Sequence, residues 1–366
     1  MVDELRDEKF KFDHVKDPFP SASNACPFDA PNAVAIDNNG NIYVIEEDNE
    51  RVQIFSNSGQ YLKQITNTND AIGQFDEPVG VAVASNGRIY VADTDNDRIQ
   101  VFSSSGAFEY SIGTGSSGND PGQFSRPTSI TFDINGKMYI ADKGNDRIQI
   151  FSSSGAYEYS IGTGDSGDNT GQFSNPYDVA VDTNGKIYVS DENNCRIQVF
   201  SSSGSYEYSI GTGSCGSDIG QLNHQSGIAL DNSEKIYVAD TWNHRIQIYS
   251  SSGSYESNIG NGTSGNSIAQ LNYPSDVFVD SSGKIYVADK NNDRVQIFSN
   301  SGEYLYTIGS GTKGYATGTF NMPSGIFVDT NNNIYVADAY NSRIQVFSPN
   351  KSDAHVVQTG NFGIGT

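Results

Sequence analysis

The motif IYVADTDNDRIQVF (Ile89–Phe102) recurs seven times along this 366-residue chain. Its arginine falls at Arg51, Arg98, Arg147, Arg196, Arg245, Arg294 and Arg343. The first step between them is 47 residues and each later step is 49. A fixed period of this length means a modular array, in which each module is one supersecondary unit that cannot bury its own faces. The array spans roughly Pro27 to Phe347 and overrides the several unrelated domains that length alone would suggest.

The stretch 173–210 shows how a module is built. Pro176-Tyr-Asp-Val-Ala-Val-Asp182 is a short apolar run suited to a strand buried on both faces. Thr183-Asn-Gly-Lys186 is a tight turn in which Gly185 is free to take positive φ. Ile187–Asp191, Arg196–Phe200 and Tyr206–Ile210 follow as three more strands, the last alternating as a half-exposed outer strand should. A Gly-rich loop, 211–220, leads to the next module. Composition agrees: the chain has only six Leu, and Ile, Val, Tyr, Phe, Ser, Asn and Gly dominate, which is strand and turn chemistry. Four short strands cannot bury both faces alone, whereas face-to-face stacking in a closed ring can.

The pattern P-x-x-V-x-V-D-x-x-G-x-I-Y-V-A-D-x-x-N-x-R-I-Q-V-F resembles the NHL repeat. The resemblance implies a β-propeller, most familiarly of six blades. Seven copies here lead us to expect an all-β, seven-bladed propeller of four-stranded antiparallel blades. We assign 1–24 to an N-terminal segment, 25–348 to the propeller and 349–366 to a C-terminal tail. The seventh blade needs a fourth strand. Phe10–His14 and Ala354–Gln358 both stand at suitable offsets, and the N-terminal one is the expected closure.

The seven copies act as an internal comparison. The Arg, an Asn two residues before it, and an acid ending the second strand (Asp in six copies, Glu46 in the other) recur throughout. Such constancy reads as scaffold, with Asn in a left-handed turn and Arg paired to the carboxylate across the hairpin. The Asp ending most first strands reads as a turn former. Function belongs where the copies differ. Because strands alternate direction, the loop entering strand one and the turn between strands two and three share one face of the disc, at the mouth of the channel. There the variable residues are Tyr177, Asp178, Glu192 and Cys195 in blade four, His224, Gln225, Trp242 and His244 in blade five, Tyr273 and Asp276 in blade six, and Met322 and Tyr340 in blade seven. The expected binding residues are Trp242, His244, Tyr177, Asp178, His224, Tyr340, Asp276 and Tyr273.

Net charge is −22. Seven of the 22 basic residues are the recurring Arg, leaving 15 to face 44 acids. Such a surface repels nucleic acid and anionic membranes, so RNA binding, which some NHL proteins perform, is not expected. No apolar run approaches the roughly 20 residues of a membrane span. The N-terminus lacks the apolar stretch of a secretory signal. The chain is either cytoplasmic or a mature segment, and an extracellular or cell-surface setting is expected. Cys26, Cys195 and Cys215 are too few for a disulfide framework. Cys195 and Cys215 fall on the same face and either pair or remain thiols. Two sequons, at Asn261 and Asn350, are the number chance would supply.

No cofactor is expected. Asp93-Thr-Asp-Asn-Asp97 begins like a calcium loop but lacks its Gly and terminal Glu. Asp178 and Asp276 could hold a cation at the channel mouth. Some NHL-type propellers are lyases with several His ligands for zinc, but the four His here lie outside the first strands. The primary reading is a non-catalytic binding or scaffold propeller that docks a protein, peptide or carbohydrate on the variable face. The alternative is a metal-dependent hydrolase or lyase with a cation at the channel mouth.

Overall fold

A computed structural model describes Phe28, residues 31–66, 74–348 and the backbone of 354–357. It shows seven four-stranded antiparallel meanders, spanning 31–66, 78–112, 127–161, 176–210, 228–259, 274–308 and 323–357. These are the seven blades, one per repeat. The second strands, such as Ile187–Asp191, are buried along their whole length, and third strands such as Arg196–Phe200 nearly or wholly so. Their β-branched and aromatic residues therefore pack on both faces. The outer strand runs from an exposed Tyr206 to a buried Ile210.

Each hydrophobic cluster straddles two neighbouring blades. Between blades three and four, Tyr139, Ile148 and Ile150 pack on Phe173, Ile187 and Phe200. Between blades seven and one, Tyr335, Ile344 and Val346 pack on Phe28, Ile42, Val44 and Phe55. That last cluster closes the ring through side chains. The fourth strand of blade seven is Ala354–Val357, aligned Phe347 to Ala354 and Ile344 to Val357. It fills the place expected for Phe10–His14, which lie outside the described residues. It pairs with the strand that precedes it in sequence, and so local a closure costs little chain entropy.

In blades two to seven the recurring Arg ties the blade to the loop before it. In blade four the Arg196 Nε donates to Asp191 Oδ2 at 2.7 Å. Arg196 Nη1 and Nη2 reach the carbonyls of Asp168, Asn169 and Gln172 at 2.7–3.0 Å. Asp191 also accepts from Asn194 and from the Ser174 N–H. Gln198 completes the cluster, donating to Asp191 and to the Gln172 carbonyl while accepting the Gly171 N–H. The Gln recurs in all seven copies, from Gln53 to Gln345. The first-strand Asp forms the expected turn: Asp182 accepts the Asn184 and Lys186 N–H groups and the Tyr188 hydroxyl.

Candidate functional site

Seven first strands converge on the axis, so the residue two places after the opening proline (Gln225 in blade five) must be small or directed. In blade order it is Ala33, Gly80, Ser129, Asp178, Gly227, Asp276 and Gly325. A Cβ on Gly80 would stand 2.2 Å from the Thr128 carbonyl oxygen, and one on Gly227 would stand 2.8 Å from Asp276 Oδ1. Gly227 thus makes room for the carboxylate beside it. Hydroxyls one place earlier stitch the strands together: Thr128 donates to the Tyr177 carbonyl, Ser226 to Ser275 and Ser275 to Pro323.

Above this ring opens a cavity of about 590 Å³. Asp178, Asp276, Ser129, Gly227 and Gly325 are in its wall, and Tyr177, Trp242, Tyr273, Lys290 and Met322 are among its other lining residues. Asp178 accepts from the Ser129 hydroxyl, from its neighbour Val179 N–H at 2.9 Å and from the Ile228 backbone in the next blade. Asp276 accepts the Val277 N–H and, from the next blade, the Ile326 N–H, both at 2.9 Å. Burial raises both carboxyls above their ordinary range. Asp276 lacks a hydroxyl donor like Ser129 and feels the Asp178 charge as well. Its pKa is pushed up to about 7.

This shift fixes a sign for pH dependence. The unfolded Asp276 ionises near 3.8, whereas the folded one holds its proton to about 7. Its contribution to stability is therefore greatest at low pH and falls as pH rises from about 4 to about 7. Relative to an Asp276→Ser variant, the wild type should gain unfolding free energy at about pH 5 compared with about pH 8. Denaturant titrations at both pH values check this; a pH-independent difference contradicts it.

The rim is aromatic. Trp242 is 54% exposed and its ring lies 4.3 Å from His224, tilted by 31°. His224 Nδ1 lies 3.7 Å from Glu192. Lys143 Nζ sits 5.0 Å from the Tyr177 ring centroid, a cation–π contact. Trp242, Tyr177, Tyr273, Asp178 and Asp276 line the cavity; His224, His244 and Tyr340 do not. His244 has a framework duty. Its Nδ1 accepts the Tyr273 N–H at 3.0 Å, as Asp97, Asp146 and Asp293 accept from Arg126, Asn175 and Met322. Burial lowers its pKa, consistent with a neutral acceptor. Tyr340 is 64% exposed on the turn between strands two and three of blade seven.

Cys195 occupies the same turn position as His244 and is bonded to Cys215, with Cα atoms 5.1 Å apart. The covalent link stands where other junctions have a side-chain cap.

The donor set fits a metal poorly. Among the described residues no three His, Cys, Asp or Glu side chains converge as ligands. Asp178 and Asp276 alone, each already accepting main-chain N–H groups, fall short of a calcium or zinc shell. In the loop at 93–97, Asp93 is committed to Arg98, Gln100, Asn96 and the Asp76 N–H.

Residues 116–321 match the model of the SMP-30/gluconolactonase/LRE-like region. Residues 28–55, 75–102 and 320–347 match the NHL repeat. No curated protein sequence matches significantly. Among solved structures, a streptogramin B lyase is 15% identical, covering 86% of this chain and 92% of its own, with a TM-score of 0.66. A catalytically inactive virginiamycin B lyase from Staphylococcus aureus, with quinupristin, is 11% identical over 87% of this chain and 94% of its own, at 0.65. Kuenenia stuttgartiensis hydrazine synthase is 11% identical over 91% and 99%, at 0.64. At these identities the likeness is one of fold.

Proposed function

This chain belongs to the SMP-30/gluconolactonase/LRE-like family and carries NHL repeats, and within that frame we propose that it is a binding propeller whose variable face receives a protein or peptide segment at the channel mouth. Trp242 carries the reading. It is the only Trp of the chain, and its turn position holds Asp48, Asp95, Gly144, Asn193, Asn291 or Tyr340 in the other copies. An exposed indole is costly to retain in a framework turn, and stacking on His224 restrains it before a partner arrives. Restrained aromatics at the edge of a pocket are the usual anchors of an interface. The acidic surface disfavours a phosphate backbone as partner, and the Cys195–Cys215 bond supports an oxidising compartment.

Panning a phage-displayed library of 16-residue peptides against the protein tests this. Peptides enriched on the wild type should lose at least about tenfold in affinity on Trp242→Ala, the loss expected for a hot-spot aromatic. The variant should melt with the wild type. No enrichment, or equal binding to the variant, removes the reading.

One observation favours a second reading, catalysis. Asp276 titrates near neutrality beside a second carboxyl inside a cavity, an arrangement suited to general acid–base work. Hydrolysis of gluconolactone or cleavage of virginiamycin B, abolished in Asp276→Asn, would support it. A preparation inactive on both classes counts against it.

A further inference from the structure

The mouth-bearing face of the disc is divided by chemistry. Five large apolar side chains stand out on it: Ile219, Trp242, Ile268, Tyr315 and Tyr340, each 54–75% exposed. All belong to blades five to seven or the loops that enter them. At the same repeat positions the earlier blades carry polar residues, Gly or Pro. Ile219 and Ile268 correspond to Pro121 and Thr170, Tyr315 to Asn119 and Asp168, and Trp242 and Tyr340 to Asp48, Asp95, Gly144 and Asn193.

The loops holding these side chains are fixed from beneath. Arg245 binds the carbonyls of Ser217 and Asp218, Arg294 those of Asn266 and Ser267, and Arg343 those of Tyr315 and Ala316. The apolar crescent is thus preformed, which lowers the ordering cost of binding.

The other part of the face, blades one to four, is acidic. Asp48, Asp76, Glu77, Asp95, Asp120 and Asp168 are exposed there. Outside the recurring Arg, the basic residues there among the described residues are Arg126, paired with Glu77 and Asp95 at 3.7 and 3.4 Å, and Lys143, which sits over Tyr177. Blades five to seven are near balance on this face, with Asp218 set against Lys290 and Lys313. Single exposed apolar residues need no explanation, but five gathered on one arc beside one-signed charge mark an interaction surface.

The geometry points to a protein partner that docks a bipartite segment across the channel mouth, its Lys/Arg-rich half over blades one to four and its aromatic or aliphatic half over blades five to seven. An extended segment of 12–16 residues reaches roughly 40–55 Å, enough to lie across both parts. This inference rests on the binding reading above and names the partner's chemistry.

The Trp242-dependent peptides from the 16-residue library decide it. They should be enriched in Lys and Arg at one end and in Trp, Phe or Leu at the other. Their affinity should fall steeply between about 50 and 300 mM salt, as expected for screened charge. Neutralising the acidic arc (Asp48→Asn, Asp95→Asn, Asp120→Asn, Asp168→Asn) should cost at least tenfold at low salt and flatten the salt dependence. Restoring the repeat's own residues on the crescent (Ile219→Thr, Trp242→Asn, Ile268→Thr, Tyr315→Asn, Tyr340→Asn) should abolish binding. Trp242-dependent peptides with no basic enrichment, or binding indifferent to the acidic arc, overturn this inference and leave the binding reading standing. Absence of any Trp242-dependent peptide overturns both.

Discussion

Replacing Arg196 with Ala should destabilise the propeller by about 3–5 kcal/mol, the usual cost of stripping one partner from a buried ion pair. Asp191 is fully buried and Arg196 nearly so. The substitution leaves the carboxylate with Asn194, Gln198 and the Ser174 N–H but without its counter-charge. It also removes the guanidinium from the carbonyls of Asp168 and Asn169, the latter keeping the Gln172 N–H, so the loop between blades three and four loses its anchor. Arg196→Lys should recover only part of the loss, because one ammonium cannot reproduce a planar fork bonded in several directions. Urea titration of both variants gives the ordering. Equal stability of wild type and Arg196→Ala would contradict a framework role.

Reducing the Cys195–Cys215 bond should cost about 3 kcal/mol, the chain-entropy value for closing a loop of about 20 residues. The effect has a structural reason beyond loop closure. The Cys195 position supplies no side-chain cap to the next blade, unlike Asp97, Asp146, His244 and Asp293. The junction of blades four and five instead depends on the disulfide and on buried Gln225, which bonds the Arg196 carbonyl. A Cys195→Asp, Cys215→Ser double variant should therefore be more stable than Cys195→Ala, Cys215→Ser, since Asp restores the cap. Denaturation midpoints with and without a phosphine reductant measure both effects. An unchanged wild-type midpoint would show that the link adds nothing.

The ring and its module boundaries were legible because periodicity does not depend on tertiary detail. Turn residues such as Gly185, and the Arg–Asp–Asn set, declare themselves by repetition. The recurring Gln did not, although it repeats as faithfully. Its position inside a strand reads as an ordinary polar residue until Gln198 is seen bridging Asp191 and the Gln172 carbonyl. His244 was ambiguous for the opposite reason. It departs from the repeat in identity but keeps the capping role of the Asp residues it replaces. Residue type varied while the hydrogen bond did not, and only coordinates separate those cases. The Cys195–Cys215 bond was likewise open, because two loops 20 residues apart have no register in sequence. Asp178 and Asp276 were legible as exceptions among small residues. That each is also anchored to a main-chain N–H of the next blade was not, because Ile228 and Ile326 lie about 50 residues on.

The central claim is that the residues shared by all blades hold the ring, while those breaking the repeat on the mouth-bearing face lie outside the framework. Thermal unfolding of the five-site crescent variant (Ile219→Thr, Trp242→Asn, Ile268→Thr, Tyr315→Asn, Tyr340→Asn) tests it most directly. Each replacement is a residue that another copy carries at the same position, and each original side chain is more than half exposed. The variant should unfold within a degree or two of the wild type, as surface changes of this kind each contribute about ±0.5 kcal/mol or less. A fall comparable to that of Arg196→Ala would show that the crescent is part of the framework and contradict the claim.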